Sequence, residues 1–130
     1  MDLGIKGKRA IVCASSKGLG LGCALSLAEA GVDLIINSRN SQNLESAASL
    51  LKSKYQVRVE TVVADITTQE GQEAVLERAE NNLDILVTNA GGPPPGLWSD
   101  WNRSDFILAL DANMLTPIAL MKEVLPVMIQ

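Results

Sequence analysis

Short apolar runs alternate along this chain with longer segments whose apolar residues recur every three or four positions. Four short runs rich in β-branched residues predict strands over residues 9–14, 32–37, 57–64 and 83–88. The longer segments predict helices over 19–30, 41–54, about 68–81, and from about 104 onward. Strands alternating with helices of this length predict an α/β fold, in which helices cover both faces of a parallel sheet. We therefore expect one domain over residues 1–130, built as a doubly wound parallel sheet.

Three helix boundaries carry residues with strong positional preferences. Gly31 follows the first helix, where a glycine is favoured because it adopts the left-handed conformation without a steric penalty. Ser41 is the predicted N-cap of the second helix, and Thr67 or Thr68 is that of the third, since a hydroxyl there can accept a hydrogen bond from a free backbone N–H. These residues predict where the crossover helices begin and end.

Composition and charge exclude several classes of function. The 130 residues carry 11 Lys and Arg against 15 Asp and Glu, a net charge of −4, whereas nucleic-acid-binding domains usually present a basic face. A hydrophobic content of 47% excludes a disordered chain. No run of eighteen uncharged apolar residues occurs, and residues 1–6 lack the apolar segment of a signal peptide. We therefore expect a cytoplasmic protein with no nucleic-acid partner and no membrane-spanning helix.

The absence of histidine removes the commonest catalytic base and metal ligand. Without it, the sequence cannot form a Ser-His-Asp or Cys-His nucleophile, and no His-ligated metal is expected. The two cysteines, Cys13 and Cys23, are too few for a disulfide framework and form no CxxC pair. They are predicted to be reduced, buried thiols.

The most informative segment is the glycine-rich turn CASSKGLG, residues 13–20, between the first strand and the first helix. Glycines let the backbone approach a phosphate closely, and a helix N-terminus offers free N–H groups and a partial positive charge. A strand, a glycine-rich turn and a helix inside a βαβ unit are the context that a dinucleotide-binding motif requires. The alternative is a tight strand-to-helix turn that binds no ligand.

The end of the second strand indicates which dinucleotide would bind. An Asp or Glu there would hold the adenosine ribose hydroxyls and favour NAD, but residues 37–40 read NSRN. Arg39, with Ser38 beside it and Lys17 in the glycine-rich turn, can pair with a ribose 2′-phosphate through charge-assisted hydrogen bonds. These residues predict NADP(H) as the cofactor. The alternative is that Lys17 and Arg39 are solvated surface charges.

Four features of the chain resemble the classical short-chain dehydrogenases/reductases. They are the SxKGLG turn, Asp65 after the third strand, Thr88-Asn89-Ala90-Gly91 after the fourth strand, and Asn113 in the helical tail. They occur in the order and at the spacing of that family over essentially the whole chain. The resemblance implies a Rossmann-type fold, and the second strand end is similar to that of NADPH-dependent members such as the 3-oxoacyl-carrier-protein reductases. The chain is thus similar to the N-terminal half of such an enzyme.

The resemblance implies roles for individual positions. The turn residues that would face the pyrophosphate are Ser15, Ser16, Gly18, Leu19 and Gly20. Asp65 would accept a hydrogen bond from the adenine amino group, with Ile66 packed beside the ring. Residues 89–91 would support the central sheet and line the ribose of the nicotinamide half. Asn113, the one candidate catalytic residue, would bend the last helix and support a water of the proton relay.

Two departures from the family pattern have consequences. Ala14 stands where the family has a glycine, so a Cβ occupies a position of positive φ, and a reshaped turn is expected. The family's catalytic Ser and Tyr-x-x-x-Lys have no counterpart, because the only tyrosine, Tyr55, precedes the third strand. We therefore expect a fold truncated after the fourth strand and its following helix, and a chain that is inactive alone. The fourth strand, apolar throughout, has the pattern of a strand that is buried on both faces and paired on both edges, so without a fifth strand beside it we expect it to leave one edge unpaired.

The tail helix carries a continuous apolar stripe. Its members are Met114, Ile118, Met121, Leu125 and Met128. The stripe is interpreted either as core packing or, by resemblance, as the subunit-contact helix of the family, which would make the protein a homo-oligomer.

Three functions are compatible with these observations. The leading hypothesis is an NADP(H)-dependent oxidoreductase whose parent enzyme transfers a hydride between the nicotinamide and a small carbonyl or secondary alcohol. The second is a non-catalytic NADP(H)-binding or regulatory module that dimerises. The third is a fragment that only assembles, without a cofactor.

Overall fold

The structure, a computed structural model, describes all 130 residues and contains a single parallel sheet flanked by helices. The four strands are β1 (Arg9–Val12), β2 (Asp33–Ser38), β3 (Val59–Val63) and β4 (Ile85–Val87). The five α-helices are α1 (Gly18–Glu29), α2 (Ser41–Lys54), α3 (Gln69–Ala79), α4 (Arg103–Leu110) and α5 (Thr116–Met128). The strands lie in the order β3-β2-β1-β4 and all pair in parallel, which confirms the predicted doubly wound α/β fold.

The sheet separates two hydrophobic cores, because successive strand residues point to opposite faces. Ala10 and Val12 of β1 pack with α1 and α2 on one face. Ile11 and Cys13 pack with α3 and α5 on the other. Strands that are buried on both faces are continuous apolar runs, which is why the hydrophobic pattern predicts β1 and β2 clearly.

The end of α1 has the geometry predicted from Gly31. Gly31 adopts a φ of +81°, and its N–H donates to the Ala28 carbonyl at 3.0 Å. The next N–H, that of Val32, donates to the Leu27 carbonyl at 3.0 Å. These two bonds form a Schellman motif, which satisfies carbonyls that the helix end would leave free. The chain therefore passes directly from α1 into β2.

The start of α2 differs from the prediction. Asn40, not Ser41, is the N-cap: its side-chain oxygen accepts from the Asn43 N–H at 2.8 Å, and Ser41 is the first helical residue. Both residue types cap helices well, but Asn40 has the extended backbone that an N-cap needs. At α3 the cap is Thr68, which accepts from the Gly71 N–H at 3.0 Å.

β4 is less buried than its sequence predicts. It pairs only with β1, and its three residues are half-buried. The edge of β4 expected to be left unpaired in this chain is therefore open, and the strand buries less than its apolar sequence would allow. The reason is the position of β4 at the outside of the sheet, where one edge and part of each face are open. An apolar run shows that a strand can be buried, but it does not determine whether that strand lies in the middle or at the edge of the sheet.

The tail is one continuous helical rod, in which a π-helical turn, Asp111–Leu115, joins α4 to α5. α5 contacts the core through Leu120 and Val124, which are buried. The predicted stripe lies beside this contact and packs against the core only through Met128. Its other four residues, Met114, Ile118, Met121 and Leu125, are 41–53% exposed. The interpretation of the stripe as core packing is therefore wrong for those four residues.

The rod from Arg103 to Met128 is 26 residues long and, by length and composition alone, apolar enough to cross a membrane. Of its most apolar stretch, 11% is buried within the chain. Core helices of soluble proteins and signal sequences pass the same test, so one such helix is weak support for a membrane segment. The absence of a membrane-spanning helix stays a prediction.

Candidate functional site

A cleft of about 650 Å³ runs along the carboxyl ends of the strands. Its walls are the turn between β1 and α1, the ends of β2 and β3, the loop after β4, and one side of α4 and the π-helical turn. This edge of an open α/β sheet is where ligands bind, and the volume is typical of cofactor sites. The structure brings eleven predicted site residues to the cleft: Ser16, Lys17, Gly18, Leu19, Ser38, Arg39, Asp65, Ile66, Asn89, Ala90 and Gly91.

The N-terminus of α1 opens into the cleft. Lys17 is the N-cap residue, with an extended backbone at φ −160° and no side-chain hydrogen bond to the helix. Gly18 has a φ of +59°, which glycine adopts without strain. The first N–H groups of α1 therefore have no side-chain cap. Together with the helix dipole they favour an anion at this point.

Ala14 adopts the positive φ that its position in the turn requires, and a reshaping of the turn stays a prediction. Its φ is +47°, in the left-handed region that alanine rarely adopts, and the Asn89 amide donates to its carbonyl at 3.1 Å. Gly20 packs against the same carbonyl, and a Cβ at Gly20 would lie 2.2 Å from the Ala14 oxygen. The structure therefore places Gly20 beneath the turn, where it allows α1 to approach β1, and not on the cleft surface.

Ser15 also points away from the cleft. Its side chain is fully buried, donates to the Val12 carbonyl at 2.7 Å and accepts from the Asn37 N–H at 3.2 Å. A hydroxyl engaged in this way faces the sheet and not a ligand. Of the turn residues assigned to a pyrophosphate, the cleft is lined by Ser16, Gly18 and Leu19, and not by Ser15 and Gly20.

Two basic side chains lie at the cleft without an anionic partner. Lys17 and Arg39 are exposed and form no ion pair. Arg9, at the opposite end of the sheet, is by contrast paired with Glu60 at 2.6 Å. No carboxylate follows β2 directly. An anionic ligand would therefore meet a free guanidinium and a free ammonium group here.

Asp65 follows β3 and keeps its charge through local hydrogen bonds. The Thr67 hydroxyl and N–H both donate to Asp65 Oδ1, at 2.7 and 3.0 Å. These two bonds, with a smaller contribution from the Arg39 charge, hold the pKa of Asp65 below its usual value, although partial burial opposes the shift. The other carboxylate oxygen has no hydrogen-bond partner in the protein, so it can accept a bond from a ligand.

The end of the cleft beyond Gly91 is bounded by residues that sequence reasoning does not select. They are Asp105, Leu108, Ala109, Asp111 and Ala112, on α4 and the π-helical turn. No motif marks these residues. Their only sequence signal is their place on the helix that follows the β4 loop.

Asn113 lies in the π-helical turn but not on the cleft wall. Within this turn the Asn113 amide donates to the Ala109 carbonyl at 3.0 Å, and the bend that Asn113 would cause stays a prediction. Turns of this kind are frequent at functional sites. The residues of the turn that reach the cleft are Asp111 and Ala112. The catalytic role of Asn113 stays a prediction.

Asn37 is the residue of the cleft that sequence reasoning misses most clearly. Its side chain is 1% exposed and donates to the Val62 and Ala64 carbonyls at 3.1 and 3.0 Å. The available signal was a polar residue near the end of an otherwise apolar strand. Because both amide protons are bonded, this side chain ties β2 to β3 at the floor of the cleft.

The two cysteines have different environments. Cys13 is buried, which raises the pKa of its thiol to about 11, so the thiol is an unreactive core group. Cys23 is exposed on α1, and the prediction that both thiols are buried is wrong for this residue. No group of three or more potential metal ligands comes together in the chain.

Comparisons with known proteins agree with this geometry. The sequence profile of the family described as short chain dehydrogenase matches residues 8–130. Gluconate 5-dehydrogenase from Gluconobacter oxydans is 32% identical over 113 residues, which are 85% of this chain and 44% of that enzyme. A 3-oxoacyl-[acyl-carrier-protein] reductase from Rickettsia prowazekii is 29% identical over 126 residues, which are 97% of this chain and 50% of the reductase.

A crystal structure gives the same result for the fold. L-sorbose reductase from Gluconobacter frateurii, complexed with NADPH and L-sorbose, matches with a TM-score of 0.89 at 33% identity over 98% of this chain and 50% of that one. This chain spans about half the length of the curated relatives it matches. The profile match over residues 8–130 and the parallel sheet with its glycine-rich turn establish that the chain belongs to the short-chain dehydrogenase family.

Proposed function

We propose that this chain is the NADP(H)-binding part of an oxidoreductase that transfers a hydride between a nicotinamide cofactor and the carbonyl or secondary alcohol of a small substrate. The observation that carries the proposal is a pair of unpaired cations, Lys17 and Arg39, on a cleft whose β2 end bears no carboxylate. The NADPH in the crystallised L-sorbose reductase supports this choice of cofactor.

The residues of the turn fit the phosphates of such a dinucleotide. Gly18 presents bare backbone to the cleft, and the uncapped N–H groups of α1 would bind the pyrophosphate, with Ser16 beside them. Arg39, Ser38 and Lys17 would surround the ribose 2′-phosphate with two positive charges and a hydroxyl. Ser15 and Gly20 would not contact the cofactor; they would hold the turn in place against the sheet and α1.

The remaining walls fit the two ends of the cofactor. Asp65 would accept a hydrogen bond from the adenine amino group through its free carboxylate oxygen, and Ile66 would pack beside the ring. Residues 89–91 would line the ribose of the nicotinamide half. The cleft then continues toward Asp105 and Asp111, where a small substrate would bind.

We further propose that residues 1–130 alone do not turn over a substrate. The nicotinamide supplies or accepts the hydride, but carbonyl reduction also needs a proton donor beside it. The one tyrosine, Tyr55, precedes β3 and so lies at the end of the sheet opposite the cleft. We expect no NADPH oxidation above background with a panel of ketones and sugars. Turnover by the purified chain, free of longer forms by mass spectrometry, would contradict this proposal.

Calorimetric titration tests the cofactor. NADPH and 2′-phospho-AMP are expected to bind, and NADH to bind at least about tenfold more weakly, because it lacks the 2′-phosphate. Arg39→Glu should weaken NADPH binding by about tenfold or more. Lys54→Glu changes the charge equally at the far end of α2 and should leave the affinity unchanged. Equal affinities for NADH and NADPH, or an Arg39→Glu variant that binds normally, would refute the choice of NADP(H).

A second candidate is a non-catalytic NADP(H)-binding module that dimerises, and one observation favours it. The outer side of α4 and α5 exposes large apolar residues, including Phe106, Ile107, Met114 and Leu125. We propose that the protein is cytoplasmic and that it forms a homo-oligomer through this helical rod. Sedimentation over a range of concentrations separates the candidates: a defined dimer supports the module, whereas open-ended association supports a part of a larger enzyme. A strict monomer would contradict the oligomer.

A further inference from the structure

Asn37 connects three segments of the cleft floor. Its Nδ2 donates to the Val62 and Ala64 carbonyls of the β3 end, and its Oδ1 accepts from the Ala14 N–H in a long hydrogen bond of 3.4 Å. Its backbone carbonyl accepts from the Ser15 N–H at 2.9 Å, and its own N–H donates to the Ser15 hydroxyl at 3.2 Å. All of its polar atoms are thus engaged within the protein, and its side chain is buried.

The bonds to Ser15 explain the unusual backbone of Ala14. Val12 pairs with Ile36 in the sheet, but the next bond on the β1 side comes from Ser15 and not from Ala14. The β1 side therefore contains one residue more than a regular parallel ladder, as in a β-bulge, and Ala14 accommodates it at φ +47°. The buried Ser15 hydroxyl, which also donates to the Val12 carbonyl at 2.7 Å, bridges the gap.

A left-handed alanine persists only where the surrounding bonds determine it. We propose that Asn37 is a positioning residue: with Ser15 it holds Ala14 in the left-handed conformation and so fixes the glycine-rich turn relative to the end of β3, where Ala64 precedes Asp65. This inference rests on the proposed function, since the turn and Asp65 are the two walls that would hold the phosphates and the adenine. It assigns Asn37 no contact with the reacting atoms.

Rescue by glycine is the test that separates positioning from a merely structural role. Asn37→Ala should weaken 2′-phospho-AMP binding by about tenfold, and Ser15→Ala by a few fold, well below the unfolding temperature of each variant. Adding Ala14→Gly to either variant should restore most of the lost affinity, because glycine adopts a positive φ at no steric cost. If these residues only tie the strands together, Ala14→Gly will restore nothing, and the inference is overturned.

Ser53→Ala is the matched control. It also removes a serine hydroxyl that donates to a backbone carbonyl, that of Leu50 at 2.8 Å, but near the far end of α2. It should change neither the affinity nor its response to Ala14→Gly. If Asn37→Ala does not fold, the smaller change Ser15→Ala, with and without Ala14→Gly, decides the question.

Hydrogen exchange tests the same inference without a nucleotide. In Asn37→Ala and Ser15→Ala, the Ala14 and Ser15 amides should exchange at least about tenfold faster than in the wild type, whereas the Ile35 amide in β2 should not change. If the wild type binds no nucleotide, the proposed function fails while this measurement still tests the positioning role. If the wild type binds and both variants behave like Ser53→Ala in affinity and exchange, only the positioning role fails.

Discussion

The turn around Ala14 and the helical rod of α4 and α5 differ in how far their side chains are buried and bonded within the chain. At the turn, Ser15 and Asn37 are buried, and their polar groups bond to neighbours within the chain. Along the rod, few residues are buried, and large apolar side chains such as Ile107 and Leu125 remain about half exposed. The polar groups of Ser15 and Asn37 at the turn therefore need no partner from outside the chain. The rod offers a surface whose energetic value depends on what covers it.

The largest expected loss of stability concerns the inner face of the rod, which packs on the core, in comparison with its exposed outer face. Leu120→Ala should lower the free energy of unfolding by about 3 kcal/mol, because a side chain that is 1% exposed leaves a cavity. Leu125→Ala, on the same helix but 47% exposed, should change it by less than about 0.5 kcal/mol. Urea titration at low protein concentration measures both. Equal losses would mean that the outer face is also buried in solution.

The next largest expected change in stability concerns Gly20, the glycine of α1 that packs beneath the turn, with Gly22 on the same helix for comparison. Gly20→Ala should cost about 2 kcal/mol, because its Cβ would lie 2.2 Å from the Ala14 oxygen and 2.8 Å from the Asn89 amide nitrogen. Gly22→Ala should instead stabilise the chain by about 0.5–1 kcal/mol, since no atom lies within 4 Å of its Cβ and alanine favours the helix. Thermal unfolding followed by circular dichroism distinguishes the opposite signs. A destabilised Gly22→Ala variant would show that this face of α1 is covered in solution.

A smaller effect separates the two adjacent candidates for the N-cap of α2. Asn40→Ala should cost about 1 kcal/mol, because the Asn43 N–H loses its side-chain acceptor. Ser41→Ala should change stability by only a few tenths of a kcal/mol, since Ser41 is already helical and exposed. Chemical denaturation is sensitive enough to rank the two. The reverse ranking would restore Ser41 as the cap.

The smallest expected effect concerns acid and Asp65. Because the folded state lowers the pKa of Asp65 below its ordinary value of 3.8, the ionised group stabilises the fold at neutral pH. This contribution is lost as the pH falls below that value and through the folded-state pKa. Thr67→Val removes the hydroxyl bond, the largest cause of the shift, and should move the pKa upward.

Carbon-13 NMR titration of the Asp65 carboxyl group measures this pKa directly. Thr61→Val is a suitable control, because Thr61 lies in β3 but makes no hydrogen bond to Asp65. An unchanged pKa in Thr67→Val would mean that the backbone bond and nearby charges are sufficient.

The sequence predicts the order of elements and the edge of the sheet that forms the cleft, because both follow from local periodicity and from the glycine-rich turn. It does not decide between Asn40 and Ser41, since both side chains can cap and only the backbone conformation chooses. It also does not show that Ser15 and Gly20 face inward. That orientation follows from the left-handed Ala14, a feature that depends on bonds to Asn37 of β2 and to Asn89 in the loop after β4, both far away in sequence.

The sequence predicts the length of the helical rod but not which of its faces packs against the core. Apolar residues cover more than one face of α5, so the spacing of Met114, Ile118, Met121 and Leu125 fits a core stripe as well as an exposed one. Only the packing of Leu120 and Val124 against the sheet selects the inner face. Asn37 was missed for a related reason, since a polar residue near a strand end has many possible partners.

The π-helical turn, Asp111–Leu115, sets the angular phase between the two halves of the rod. In an uninterrupted α-helix, which advances about 100° per residue, the cleft-facing side of α4 and the sheet-facing side of α5 would point roughly 90° apart. A π-helical turn holds about one residue more than an α-helical turn, which would remove most of the angle between the cleft side of the rod at Leu108 and its core side at Leu120. The extra residue of this turn thus links the orientation of the cleft wall to that of the core contact.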